Sequence, residues 1–228
     1  NVVLIGPRRF GKTSFVLDLQ ESLKKNGYET LFIDVFNVTS HRDFLNQLLA
    51  ATAGKKSLVK RMREFTKQLL PELEVSAETD GTPTMKLSLQ THKLTDDQVK
   101  QSIAETFESL ATVSKKTFVA FDEFQTIGQL QDHGWLEATI RTKMQLLKGV
   151  SFLFSGTRHG IIHDMFNNST RPFYRSCQLI DFPQFEEEFT VWINDRFKAV
   201  GITCDQEAIS HLRAAVDDTP NYVQMCCF

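Results

Sequence analysis

The sequence predicts an α/β fold: a parallel sheet with helices on its two faces and a small helical appendage at the carboxyl end. Three observations predict it. Short apolar runs alternate with segments of helical periodicity along the first 180 or so residues. The first apolar run leads directly into "GPRRFGKTS" (6–14), a glycine-bracketed loop that opens a helical pattern. After Asp181, the periodicity is helical only. Strands separated by helices imply right-handed crossovers, and a run apolar on both faces implies a strand covered from two sides.

In chain order, Val2 to Ile5 read as a buried strand. Phe15, Leu19 and Leu23 recur at helical spacing, and Gly27 ends that helix. "TLFIDVF" (30–36) is the second strand, and Phe44, Leu45, Leu48 and Leu49 mark the second helix. Residues 54–92 interrupt the rhythm as an insertion. It begins as a basic helix from Lys55 to Lys67 and continues into alternating residues around Asp80-Gly81, which read as a β-hairpin. Val99, Ile103, Phe107 and Leu110 mark the next helix, and "TFVAFDEF" (117–124) the third strand. Leu136, Ile140, Met144 and Leu147 precede "VSFLFSG" (150–156), and "CQLIDF" (177–182) closes the series. Phe185, Phe189, Ile193 and Phe197, then Ile209, Leu212 and Val216, give a helical lid. The expected division is therefore a core over 1–181 and a lid over 182–228, the lid cut short.

Composition excludes several classes. The 228 residues carry a net charge of −2, so no global field draws the chain to nucleic acid or anionic lipid. The four cysteines lack zinc-ligand spacing and read as free thiols of a reducing, cytoplasmic setting. No apolar run approaches the ~18 residues of a membrane helix. Asn1 sits directly on the first strand, which reads as the start of a fragment.

The loop carries the chemistry. Gly6, Pro7, Arg8, Arg9, Phe10, Gly11, Lys12 and Thr13 fit G-x-x-x-x-G-K-S/T, with Ser14 beyond. Such a loop wraps a polyphosphate by turning backbone N–H groups inward, and the next helix offers its N-terminus to the same anion. Lys12 would reach the β and γ oxygens of ATP, and Thr13 would offer its hydroxyl to Mg²⁺. Asp122 and Glu123 end a buried strand, where ligands bind in open α/β sheets. Asp122 would hold Mg²⁺ through water, and Glu123 would polarise the attacking water. Adjacent acids favour hydrolysis over transfer to a second substrate. A small-molecule kinase would place further arginines over the phosphates. A GTPase would show an N-K-x-D motif, and no Asn here precedes a Lys. A transporter-type ATPase would show an L-S-G-G-Q-like signature, which the chain lacks.

With "GPRRFGKTS", "FDEFQ", "FLFSGTRHGIIHDMF", "RPFYRS" and "DDTPNYVQ", the chain resembles the archaeal-type ATPases of the STAND branch of AAA+-like P-loop proteins over nearly its whole length. The resemblance implies a P-loop NTPase of the additional-strand (ASCE) type with strand order 5-1-4-3-2. It implies a Mg²⁺-dependent ATPase that drives a conformational switch or assembly. Ser155 would be its polar sensor, and Arg175 an arginine reaching a neighbouring subunit's nucleotide, with Arg171 as rival. Pro220 would sit in the lid turn near the adenine, although Asp218 stands where glycine is more usual. The resemblance also implies a segment before the first strand and a further domain after the lid. Four functions stay open: an ATPase switch or motor, a small-molecule kinase using the same loop, a nucleotide-binding scaffold with negligible hydrolysis, and a DNA-associated ATPase. Partners could thus be a second copy, another protein or DNA. His159 and His163, four apart, lack a completing carboxylate or cysteine for a metal set.

Overall fold

A computed structural model describes residues 1–53, 91–110, 116–157, 160–183, 185 and 187–227. Of the insertion expected over 54–92, residues 54–90 with the basic helix and hairpin lie outside the described residues, as does His159; Thr91–Lys93 form a short 3-10 turn. Five strands form one parallel sheet: β1 (Val2–Gly6), β2 (Glu29–Asp34), β3 (Thr117–Asp122), β4 (Val150–Thr157) and β5 (Gln178–Asp181). Their spatial order is β2-β3-β4-β1-β5, every pairing parallel. This is the order 5-1-4-3-2 read from the other edge. The two strands that carry the glycine loop and the acidic pair are therefore separated by β4.

Alternation along the strands sends side chains to two different layers. Phe118 and Ala120 of β3 join Leu4, Leu153 and Val16 under α1 (Lys12–Lys25). Val119 and Phe121 join the larger core on the opposite face. That face is covered by α2 (His41–Ala53), α3 (Asp96–Leu110), α4 (His133–Leu146) and α5 (Gly160–Asn167). Its centre is a chain of phenylalanines. Phe124 lies 4.5 Å from Phe154 between ring centroids, and Phe166 4.9 Å from Phe173.

The structure adds the buried face of α1 and shifts several expected strand ends. Phe15 is 47% exposed, because the buried face of α1 runs through Lys12, Val16 and Gln20. The ring of Phe15 instead meets Phe182 edge-on at 5.9 Å. Val35 and Phe36 fall outside β2, which ends at Asp34. Phe36 is exposed with the Arg8 guanidinium 5.7 Å from its ring.

Beyond β5, α6 (Glu187–Ala199), α7 (Gln206–Ala215) and α8 (Pro220–Cys227) pack around Ile193, Ile209 and Val223. This apolar cluster is separate from both sheet cores. Asp205 caps α7 by accepting the Glu207 N–H at 3.2 Å. Pro220 opens α8, where its fixed φ suits a first turn.

Candidate functional site

The site is built on the carboxyl ends of β1, β3 and β4. β1 delivers the loop 6–11, and α1 starts at Lys12 behind it. The two glycines serve different needs. Gly11 sits at φ 88°, a left-handed turn that an L side chain resists. Gly6 is a close-approach position: an added Cβ would lie 2.7 Å from Phe182 Cβ on the neighbouring chain past β5. Between them Arg9 also takes a left-handed backbone, at φ 69°. Its guanidinium stands 4.7 Å from the centre of the Tyr222 ring on α8, so the loop and the helical appendage touch. Phe10 is buried, whereas Arg8 and Ser14 are exposed.

Lys12 is 5% exposed. Its ammonium donates to the backbone carbonyls of Gly6 at 3.0 Å and Pro7 at 2.7 Å. Burial pushes its pKa below the ordinary lysine value, and the carboxylates of Glu123 and Asp122 pull it part of the way back. A desolvated cation with facing acids and a third N–H to give is poised for an anion.

Asp122 is 4% exposed and accepts from three donors. The Thr13 hydroxyl donates to Oδ2 at 2.6 Å. The Ser155 hydroxyl and the Glu123 backbone N–H donate to Oδ1. Three chain segments far apart in sequence thus converge on one carboxylate. Thr13 and Asp122 offer hard oxygens at this point, a donor set suited to a cation that keeps water and substrate oxygens in its shell. Among the described residues no group of three or more His, Cys, Asp or Glu could hold a metal by itself. His163 is occupied with Asn167, 2.8 Å away.

Glu123 is held in a left-handed backbone, φ 55° and ψ 40°. That conformation costs a non-glycine residue roughly 1–2 kcal/mol. It persists because buried Asp122 and fully buried Phe124 fix the chain on either side. Glu123 lines a cleft of about 280 Å³ together with loop residues 9–14 and Phe185, Pro220, Asn221 and Gln224. Pro220 therefore borders the same space as Lys12 and Thr13.

Arg175 does not reach this cleft. It is exposed, at φ 51°, with its guanidinium 5.2 Å from the Tyr174 ring. Arg171 is engaged elsewhere, donating to Glu137 through Nε at 3.1 Å and to Asp164 at 3.3 Å. Sequence reasoning missed Gln125, Asn221, Gln224 and Tyr222 around the site. "FDEFQ" and "DDTPNYVQ" contain all four, but nothing in either run marks them as site residues.

Residues 1–163 match the AAA domain family.

The chain belongs to the AAA domain family.

This AAA domain is similar in fold to the Walker-type ATPase of Pyrococcus abyssi, with a TM-score of 0.62 and 18% identity over 97% of this chain and 60% of that one. It is also similar to the Aeropyrum pernix ORC1 protein solved in complex with DNA, with a TM-score of 0.59 and 14% identity over 100% of this chain and 52% of that one. The ADP form of Aeropyrum pernix ORC2 gives a TM-score of 0.55 and 13% identity over 98% of this chain and 53% of that one. The chain thus spans between about half and three fifths of these proteins. No curated protein matches it in sequence. No helix among the described residues is long and apolar enough to cross a membrane.

Proposed function

We propose that this AAA domain binds ATP with Mg²⁺ and hydrolyses it, and that nucleotide state moves a helical lid (182–228) against the core (1–181). The observation that carries the reading is the convergence of Lys12, Thr13, Asp122, Glu123 and Ser155 at one end of the sheet. Lys12 would leave the Gly6 and Pro7 carbonyls for β and γ oxygens. Thr13 and Asp122 would hold the magnesium ion, which when bound supplies charge neutralisation on the phosphate oxygens. Glu123 takes a proton from the attacking water, and Ser155 ties β4 to the same carboxylate as Thr13. Pro220 borders the base. Arg175, exposed and away from its own cleft, would serve a second copy's nucleotide. Placement in the STAND branch and a cytoplasmic setting belong to this proposal.

A DNA-associated ATPase is the second reading. It is favoured by the similarity in fold to a protein solved on DNA.

Titration with a fluorescent ATP analogue tests the first reading. Wild-type protein should bind with Mg²⁺-enhanced affinity, and Lys12→Ala should lose tight binding. Retained affinity in Lys12→Ala would reject the phosphate assignment.

A further inference from the structure

Gln125 touches the cleft's acid yet has no part in the nucleotide reading. Its Nε2 donates to Glu123 Oε2 at 2.5 Å. Its Oε1 lies 3.4 Å from the backbone N–H of Thr157, two residues beyond Ser155 at the tip of β4. The two contacts demand the same amide orientation. Reversing the amide would set oxygen against carboxylate and NH₂ against N–H. Space for that amide is made by Gly156. A Cβ there would lie 2.5 Å from Gln125 Oε1 and 2.4 Å from Ile162 Cδ1. Phe124, 0% exposed, anchors the backbone between the two side chains.

β4 is therefore tied to both acids at once. Ser155 donates to Asp122, and Thr157 leans on the amide that holds Glu123. We infer that Gln125 is a positioning residue for Glu123. It fixes Oε2, leaves Oε1 as the proton acceptor, and links the acid to the strand tip that carries Ser155. A shift of that tip, such as a ligand bonded to Ser155 would cause, re-aims Glu123 through Gln125. The inference rests on the reading of Glu123 as the base that activates water.

The test uses Gln125→Met, which keeps the length of the side chain and removes the amide. Loss of one hydrogen bond to an ionised group corresponds to about a tenfold effect. The expected result is kcat down about tenfold, KM for MgATP unchanged and the thermal midpoint unchanged. Gly156→Ala, which displaces the amide from the opposite side, should reproduce the loss. An independent readout needs no turnover: the side-chain NH₂ signals of Gln125 in a ¹⁵N-labelled spectrum should shift in Glu123→Ala. Wild-type kcat in Gln125→Met, or unmoved NH₂ signals, overturns the positioning role while leaving the ATPase reading intact. Equal turnover in wild type and Glu123→Gln, with NH₂ signals that still respond, overturns the assignment of Glu123 and the positioning role with it.

Discussion

Replacing Arg171 by methionine separates a structural arginine from a catalytic one. Glu137 on α4 is 0% exposed. Arg171 grips it through two guanidinium nitrogens and reaches Asp164 on α5 with a third. The pair clamps the segment after α5 onto α4 at the rim of the phenylalanine core. Removing the cation leaves a buried carboxylate alone, which costs about 3–5 kcal/mol. In a domain of this size 1 kcal/mol moves the thermal midpoint by roughly 2–4 °C, so the expected drop at neutral pH is about 6–20 °C. The loss should depend on pH with a defined sign. Burial pushes the Glu137 carboxyl above its ordinary 4.5, and the Arg171 guanidinium pulls it part of the way back. An acid raised in the folded state favours folding below its unfolded pKa, and that contribution is lost as pH rises through the folded value. Without Arg171 the folded value climbs further, so the deficit should be small in acid and widen towards neutrality. Thermal unfolding of Arg171→Met across pH, beside Glu137→Met/Arg171→Met, measures this. The double variant should recover most of the stability, because an apolar pair can replace a buried ion pair. A single variant as stable as wild type that nonetheless loses turnover would refute the argument and make Arg171 the inter-subunit candidate.

Two other substitutions address the loop and the exposed arginine. Gly6→Ala forces a Cβ within 2.7 Å of Phe182 Cβ, next to the 2.6 Å bond from the Phe182 N–H to the Ile5 carbonyl. It should cost about 1–3 kcal/mol as overpacking and weaken ATP-analogue binding; an unchanged midpoint would show that β5 yields freely. Arg175→Ala should leave the midpoint within roughly 0.5 kcal/mol of wild type, as for an exposed site. It should lower turnover only at concentrations where chains associate, and an equal fractional loss in a monomer would exclude a role in trans.

Much of the fold was legible because it is written locally. Apolar runs at 2–5, 118–121 and 152–154 mark strands, and period-3.6 stripes mark the helices between them. The loop was legible because its spacing is itself the chemistry. The strand order came with the resemblance, since no local pattern states which strands are neighbours. What escaped is non-local. Glu137 and Arg171 are 34 residues apart and neither looks unusual alone. Gln125 acquires its role only because a glycine on another strand leaves room for its amide. The stripe of Phe15, Leu19 and Leu23 marks the helix but not its buried face: α1 turns Lys12, Val16 and Gln20 inward and leaves Phe15 exposed. Asp218 at a glycine-like position has a physical account. It takes φ 52°, and its carboxylate binds Arg213 at 2.6 Å, so a fixed side chain offsets the strain of the left-handed turn before Pro220.

ATP hydrolysis by the residues gathered at the ends of β1, β3 and β4 is open to a single assay. The assay is Mg²⁺-dependent phosphate release per chain, for wild type and Glu123→Gln over a range of protein concentrations. The wild-type rate should disappear without Mg²⁺ and fall to background in Glu123→Gln, which still binds ATP. The rate per chain should rise with concentration as Arg175 of a second copy completes the site. Equal rates in wild type and Glu123→Gln would mean that these residues do not hydrolyse ATP.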